Sequence, residues 1–323
     1  MFRWECPLRW SDMDAQGHMN NAVMVDYLQE ARVVFLRSGP ASALLDEGIV
    51  VVRHQVEYRR PIHYDEDAVV VELGVSTLGA SRVELAYEIT QGGEVSIVAR
   101  TLLCAFSFDE QKPIKLKSEY RSFFEEYRIE VEPLRDLTAP HLEGRGTPVP
   151  LPVRWTDLDS YGHVNNAKVY DYLQQARITA TTQWDPTMAR AGSKGAQHMW
   201  LIARQDVDYL AQIPHRLEPY EVRVAPVHLG TSSIVLASEV VDPETGTVHN
   251  RARTILVVAD QDLKKTELPE SLRGRPYVGV AGMWAGDPAE GERATRALRE
   301  LATPLVDMSG PIEYLDLQRS LDP

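Results

Sequence analysis

Cysteine is nearly absent from this 323-residue chain: Cys6 and Cys104 are its only two. That excludes a disulfide framework and fits a reducing compartment, so a cytoplasmic protein with free thiols is expected. Long apolar runs are missing too. No stretch approaches the roughly 18–20 residues of a membrane span, and no membrane partner is expected. The opening MFRWECPLRW lacks a basic segment followed by an apolar one, which argues against a secretory signal. Basic residues are the minority, 34 Lys+Arg against 47 Asp+Glu, for a net charge of −13. Broad nucleic-acid binding is therefore not expected, because neutralising phosphates needs a basic field. No G-x-S-x-G elbow and no glycine-rich phosphate loop occurs, and nothing in the pattern asks for a cofactor.

What the chain does have is a repeat. Residues 9–32 read RWSDMDAQGHMNNAVMVDYLQEAR and residues 154–177 read RWTDLDSYGHVNNAKVYDYLQQAR, identical at 15 of 24 positions. A duplicated core needs only its apolar pattern kept. Here polar residues are kept as well: Asp12, Asp14, His18, Asn20 and Asn21 return as Asp157, Asp159, His163, Asn165 and Asn166. Length and repeat together imply two units, residues 1–128 and 149–268, joined by a polar, proline-containing linker at 129–148. Residues 269–323 have no counterpart in the first unit and read as a surface extension with one short helical stretch, 288–301.

Each unit starts with a strand-like stretch (Cys6–Trp10; Leu151–Trp155) that runs into the polar loop. A helix follows at Ala22–Leu36 and again from Ala167 to about Trp184, apolar on most faces and so buried. Asn20 or Asn21 is a candidate N-cap, and Gly39-Pro40 is the stop. Strands are predicted at 50–58, 68–78, 82–91 and 94–108, and again at 200–209, 220–229, 233–241 and 247–259, with Gly92-Gly93 and Thr245-Gly246 as turns. The first strand of each set ends Val-acidic-Tyr, at Val56-Glu57-Tyr58 and Val207-Asp208-Tyr209. The fold class is α+β, one buried helix wrapped by a long antiparallel sheet in each unit.

The loop D-x-D-x-x-G-H-x-N-N precedes a buried helix, whose N-terminus offers unpaired N–H groups and partial positive charge. Gly17 and Gly162 let the backbone approach a ligand closely. Such a loop can cradle a carbonyl oxygen that becomes anionic, while Asp14 or Asp159 serves as general base or nucleophile and His18 or His163 polarises the carbonyl or orients water. Acyl transfer to water is the implied reaction. Asp and Asn before a helix also serve as plain caps, and Asp12 and Asp157 are assigned to capping or to pairing with the nearby arginine. A calcium loop is excluded, because its twelfth position, a bidentate Glu in an EF-hand, is Val23 in one copy and Lys168 in the other. Zinc lacks a ligand set, so no metal is expected.

The motif S/T-D-x-D-x-x-G-H-x-N-N followed by Y-L-x-x-A-R resembles the hotdog-fold thioesterases of the 4-hydroxybenzoyl-CoA thioesterase type. It also looks like the acyl-ACP thioesterases that carry tandem hotdog domains. The resemblance covers both units and implies a double hotdog, with the two sheets joined edge to edge and acyl pockets between the paired helices. It puts the catalytic carboxylate on Asp14 and Asp159 and the oxyanion contact around Gly17-His18 and Gly162-His163. Where acyl-ACP thioesterases have an Asn two residues after that Asp, this chain has Gln16 and Tyr161, which favours acyl-CoA as substrate. Acyl-ACP hydrolysis and a non-catalytic acyl-CoA sensor are the competing readings, a hotdog dehydratase a weaker one. Arg53, Arg59 and Arg60 are the candidate CoA-phosphate residues, or else a solvated strand edge. Their counterparts Arg204, Leu210 and Ala211 lose most of that charge, so unequal sites are expected. Further assembly of double-hotdog chains into a homo-oligomer is compatible with the sequence.

Overall fold

The computed structural model describes residues 1–14, 17–64, 68–137, 140–185, 188, 198–260, 264–269 and 287–299. The first unit contains β1 (Phe2–Cys6), α1 (Met24–Arg37), a short α2 (Leu44–Glu47), β2 (Ile49–Tyr58), β3 (Val69–Leu78), β4 (Arg82–Gln91), β5 (Glu94–Ser107), β6 (Lys112–Pro113) and α3 (Ser118–Glu126). The second contains β7 (Thr147–Leu151), α4 (Lys168–Trp184), β8 (Met199–Tyr209), β9 (Tyr220–Leu229), β10 (Ser233–Val241) and β11 (Val248–Ala259). A last helix, α5 (Pro288–Arg299), lies in the extension, most of which falls outside the described residues.

All the long strands form one antiparallel sheet in the order β1-β3-β4-β5-β2-β8-β11-β10-β9-β7. The units meet where β2 pairs with β8, with Gln55 opposite Asp206 and Arg53 opposite Asp208. Each unit's sheet packs on its own helix. On α1 the residues Val25, Leu28, Ala31 and Phe35 are fully buried, and α4 buries Tyr170, Leu173, Ala176 and Ala180 at the matching spacing. This is the double-hotdog architecture, α+β, with one long sheet wrapped around two helices. Among the described residues no helix is long and apolar enough to cross a membrane, and both cysteines are free and buried.

Two expectations need correction. The opening strands lie earlier than predicted: β1 ends at Cys6 and β7 at Leu151, and the tryptophans that follow start short 3₁₀ turns, Trp10–Asp12 and Trp155–Asp157. Pro7 and Pro152 explain this, since neither has an N–H to continue the ladder. The β7 strand itself tolerates Pro148 and Pro150 because it is an edge. The second correction is α3, which the sequence reading did not anticipate. Its Tyr120, Phe123 and Phe124 are buried against the end of α1, where Phe35 stacks on Phe123 at 5.0 Å.

Candidate active site

The two loops have the same backbone. Gly17 and Gly162 both sit at φ 79°, a left-handed conformation that only glycine adopts without strain. In the first loop the Asp14 N–H donates to the His18 carbonyl (2.7 Å), and the Gly17 N–H donates back to the Asp14 carbonyl (3.0 Å). The His18 N–H reaches Asp14 Oδ1 at 3.2 Å. The second loop repeats the set at 2.8, 3.1 and 3.3 Å. The amides expected to form an oxyanion contact, those of Gly17, His18, Gly162 and His163, are therefore engaged by the loops' own aspartates. Among the described residues, the start of each helix, at Asn21 and Asn166, has no such aspartate contact. Asn20 and Asn165 turn the chain there: their Oδ1 atoms accept from the Ala22 and Ala167 amides, both at 2.9 Å.

The two aspartates of each motif have separate roles. Asp12 accepts a hydrogen bond from the Tyr27 hydroxyl (2.6 Å), and Asp157 one from Tyr172 (2.8 Å). Asp157 also accepts from the Arg154 backbone. Capping or pairing with the nearby arginine is the expectation for both acids; Asp157 caps its short turn through the Arg154 N–H, and a tyrosine one turn into each helix supplies the side-chain partner. These acids tie the loop to the helix. Asp14, in contrast, lines a cavity of about 480 Å³ together with His18, Asn20 and Asn21.

That cavity is built by both units. Its far walls are Ile178 and Thr181 of α4, Trp200 and Ile202 of β8, and Leu256 of β11. Tyr58 and Ile62 close the near side, and the Tyr58 hydroxyl donates to the Asn21 carbonyl at 2.9 Å. Tyr209 repeats this contact on Asn166 at 2.8 Å. The His18 imidazole packs edge-on against His63 at 4.7 Å. Burial, and then the neighbouring His63, pull His18 below its ordinary value, against a smaller upward pull from Asp14. It is neutral at neutral pH. Of the three candidate phosphate residues, Arg59 and Arg60 line the cavity and Arg53 does not. Arg59 pairs with Glu57 at 2.9 Å and Arg60 with Glu94. Arg53 bridges the unit junction to Asp208 at 2.5 Å.

The second loop has different company. Phe108, just beyond β5, stacks on His163 at 6.1 Å and packs against Tyr161 at 4.5 Å, and the Tyr161 hydroxyl donates to the Leu45 carbonyl at 2.6 Å. Gln16, the counterpart of Tyr161, lies outside the described residues. Among the described residues no group of three or more His, Cys, Asp or Glu side chains is placed to hold a metal ion. Sequence reasoning missed Tyr58, His63 and Arg177 as parts of this site. Two of them carried a signal, Tyr58 as the end of the shared Val-acidic-Tyr pattern and Arg177 as the last residue of the repeated segment.

Comparison with known proteins agrees with this architecture. A 12:0-ACP thioesterase from Umbellularia californica superposes with a TM-score of 0.64 at 18% identity, covering 80% of this chain and 94% of that one. An acyl-ACP thioesterase from Bacteroides thetaiotaomicron VPI-5482 gives 0.55 at 14% identity, covering 79% and 96%. At such identities the likeness is one of fold. An uncharacterized protein of Bacillus subtilis (strain 168), YsmA, is 31% identical over 87 residues, 26% of this chain. The chain spans about half of that curated relative, 53% of its length. The family model described as the thioesterase-like superfamily matches twice, over residues 8–124 and 153–275, one match per unit and more than half of the sequence. The chain belongs to the thioesterase-like superfamily.

Proposed function

We propose that the protein hydrolyses an acyl-CoA thioester to a free carboxylic acid and coenzyme A. One observation carries the reading: a single cavity is lined by the Asp14 carboxylate, the start of α1 at Asn21, and Arg59 and Arg60 at its rim. With the thioester oxygen at the Asn21 amide, the helix N-terminus stabilises the charge that develops there. Asp14 then takes a proton from water as the water oxygen attacks the carbonyl carbon. The tetrahedral oxyanion collapses, the C–S bond breaks, and the thiolate recovers the proton. Alternatively Asp14 attacks first, releasing the thiolate and leaving an anhydride that water opens. Both routes use the same placement of groups. His18, neutral and held by the loop, orients the water or donates toward the carbonyl oxygen.

Coenzyme A is the favoured carrier on charge. Acyl carrier protein is acidic and needs a basic docking face, which a chain of net charge −13 is poorly composed to supply. Phosphates entering near Arg59 and Arg60 would replace Glu57 and Glu94, and such exposed ion pairs cost little to exchange. The test is thiol release from matched acyl-CoA and acyl-ACP substrates of several chain lengths. Wild type should cleave acyl-CoA faster than acyl-ACP, and the Asp14→Asn/Asp159→Asn double variant should lose about 100-fold or more. Tight acyl-CoA binding with no turnover of any substrate would replace the enzyme with a binding protein.

A further inference from the structure

Arg177 belongs to α4 in the second unit, yet it lines the first unit's cavity with Asp14, His18 and Asn21. The two long helices run past each other in opposite directions: Asn166, before α4, reaches Gln29 of α1 at 3.4 Å, and Lys168 lies 3.9 Å from Asp26. The reciprocal neighbours, Asn21 and Gln174, both line the cavity. One turn beyond Gln174, about 4.5 Å along the axis, brings Arg177 past the start of α1 and level with the polar loop. Its charge acts on Tyr58, the residue whose hydroxyl holds the Asn21 carbonyl.

Among the described residues no carboxylate pairs with Arg177, whereas Arg59 and Arg60 on the same cavity are matched by Glu57 and Glu94. Burial pulls the Arg177 guanidinium down to about 10, with only Tyr58 opposing. A guanidinium partly withdrawn from water without an anion is costly, and its fork fits a carboxylate. The arrangement occurs twice. Arg32, the counterpart on α1, is 6% exposed with Nη1 unpartnered, and its charge acts on Tyr209, whose hydroxyl holds the Asn166 carbonyl. Each tyrosine that holds the start of a long helix thus feels an arginine from the other half of the chain.

We propose that Arg177 completes the first loop's site from the second unit by gripping the carboxyl end of the acyl group. It holds the oxygen that becomes anionic in the tetrahedral intermediate and then the product carboxylate, without exchanging a proton. The assignment rests on the thioesterase reading of the Asp14 loop.

The experiment compares wild type, Arg177→Met and Arg177→Lys on one acyl group carried by coenzyme A and by N-acetylcysteamine, and on a chain ending in a carboxylate. Inhibition by the free acid is measured alongside. Arg177→Met should lower kcat about 100-fold on both carriers and on all chains, and weaken free-acid inhibition about tenfold or more. Arg177→Lys, which keeps the charge without the fork, should recover part of each; it carries the comparison alone if Arg177→Met does not fold. A loss confined to CoA thioesters would make Arg177 a phosphate holder, and one confined to the carboxylate-ended chain a reader of the far acyl end. Either result, or no loss, overturns the proposal. If wild type cleaves no thioester, the proposed function fails separately. Calorimetry with the free acid then judges Arg177, equal binding by wild type and Arg177→Met counting against it.

Discussion

At the scale of single residues, the polar atoms of the repeated segment divide into fasteners and candidates for chemistry. Asp12 and Asp157 are fasteners, each held by a tyrosine hydroxyl from the following helix. Asp14 faces a cavity. His54, in the middle of β2, belongs to neither group. It is fully buried with both ring nitrogens unpartnered, between Tyr170 at 6.0 Å and Tyr209 at 5.6 Å. Burial, and then the Arg32 charge, hold it well below the ordinary imidazole value. The folded protein keeps His54 neutral where the unfolded chain, with a value near about 6.5, takes up a proton. Stability should therefore fall as pH drops below about 6.5, because the unfolded state binds more protons there. His18 and His249, also lowered, act in the same direction. Asp26 and Asp206, both raised by burial, act oppositely over the carboxylate range. Denaturant unfolding from about pH 7.5 to about pH 5 should show this acid loss, and His54→Gln, which copies its counterpart Gln205, should flatten it. An unchanged slope in the variant would assign the loss to other groups.

At the scale of elements, the two long helices carry the fold. Leu28 has no exposed surface and sits at the centre of the buried stripe of α1. Leu28→Ala should cost about 2–5 kcal/mol, read as a shift of the denaturation midpoint; a change under about 1 kcal/mol would mean that α1 is not the core helix. These helices and the eight long strands were legible because apolar periodicity and paired turn residues agree locally: Gly92 and Gly93, at φ 60° and 81°, form the hairpin that their sequence announces. The edges β1 and β7 were misplaced, since a five-residue strand pairing on one side leaves little periodic trace. The α3 helix was missed although Tyr120, Phe123 and Phe124 fall at helical i, i+3, i+4 spacing, because nine residues carry that pattern for little more than two turns. The loops were visible as a repeat. Their completion by the opposite helix was not, because Arg177 reaches the Asp14 cavity only once β2 and β8 have joined the units.

At the scale of the whole molecule, duplication gives near-symmetry and a few substitutions break it. The strand register matches Val56 with Val207, so His54 corresponds to Gln205, and the repeat matches Tyr170 with Val25. The second site thus has the His54 ring beside Tyr209, where Gln205 is the corresponding residue of the first, while Tyr170 stands near both Tyr209 and Tyr58. Phe108 adds a ring over His163. On this account thioester hydrolysis runs mainly at the first loop, and the second acts chiefly as scaffold. Separate turnover measurements on Asp14→Asn and Asp159→Asn with one acyl-CoA substrate test this most directly. The account predicts a loss of about 100-fold or more for Asp14→Asn and retention of more than about half the activity for Asp159→Asn. Equal residual turnover in the two variants, or full activity in Asp14→Asn, would contradict it.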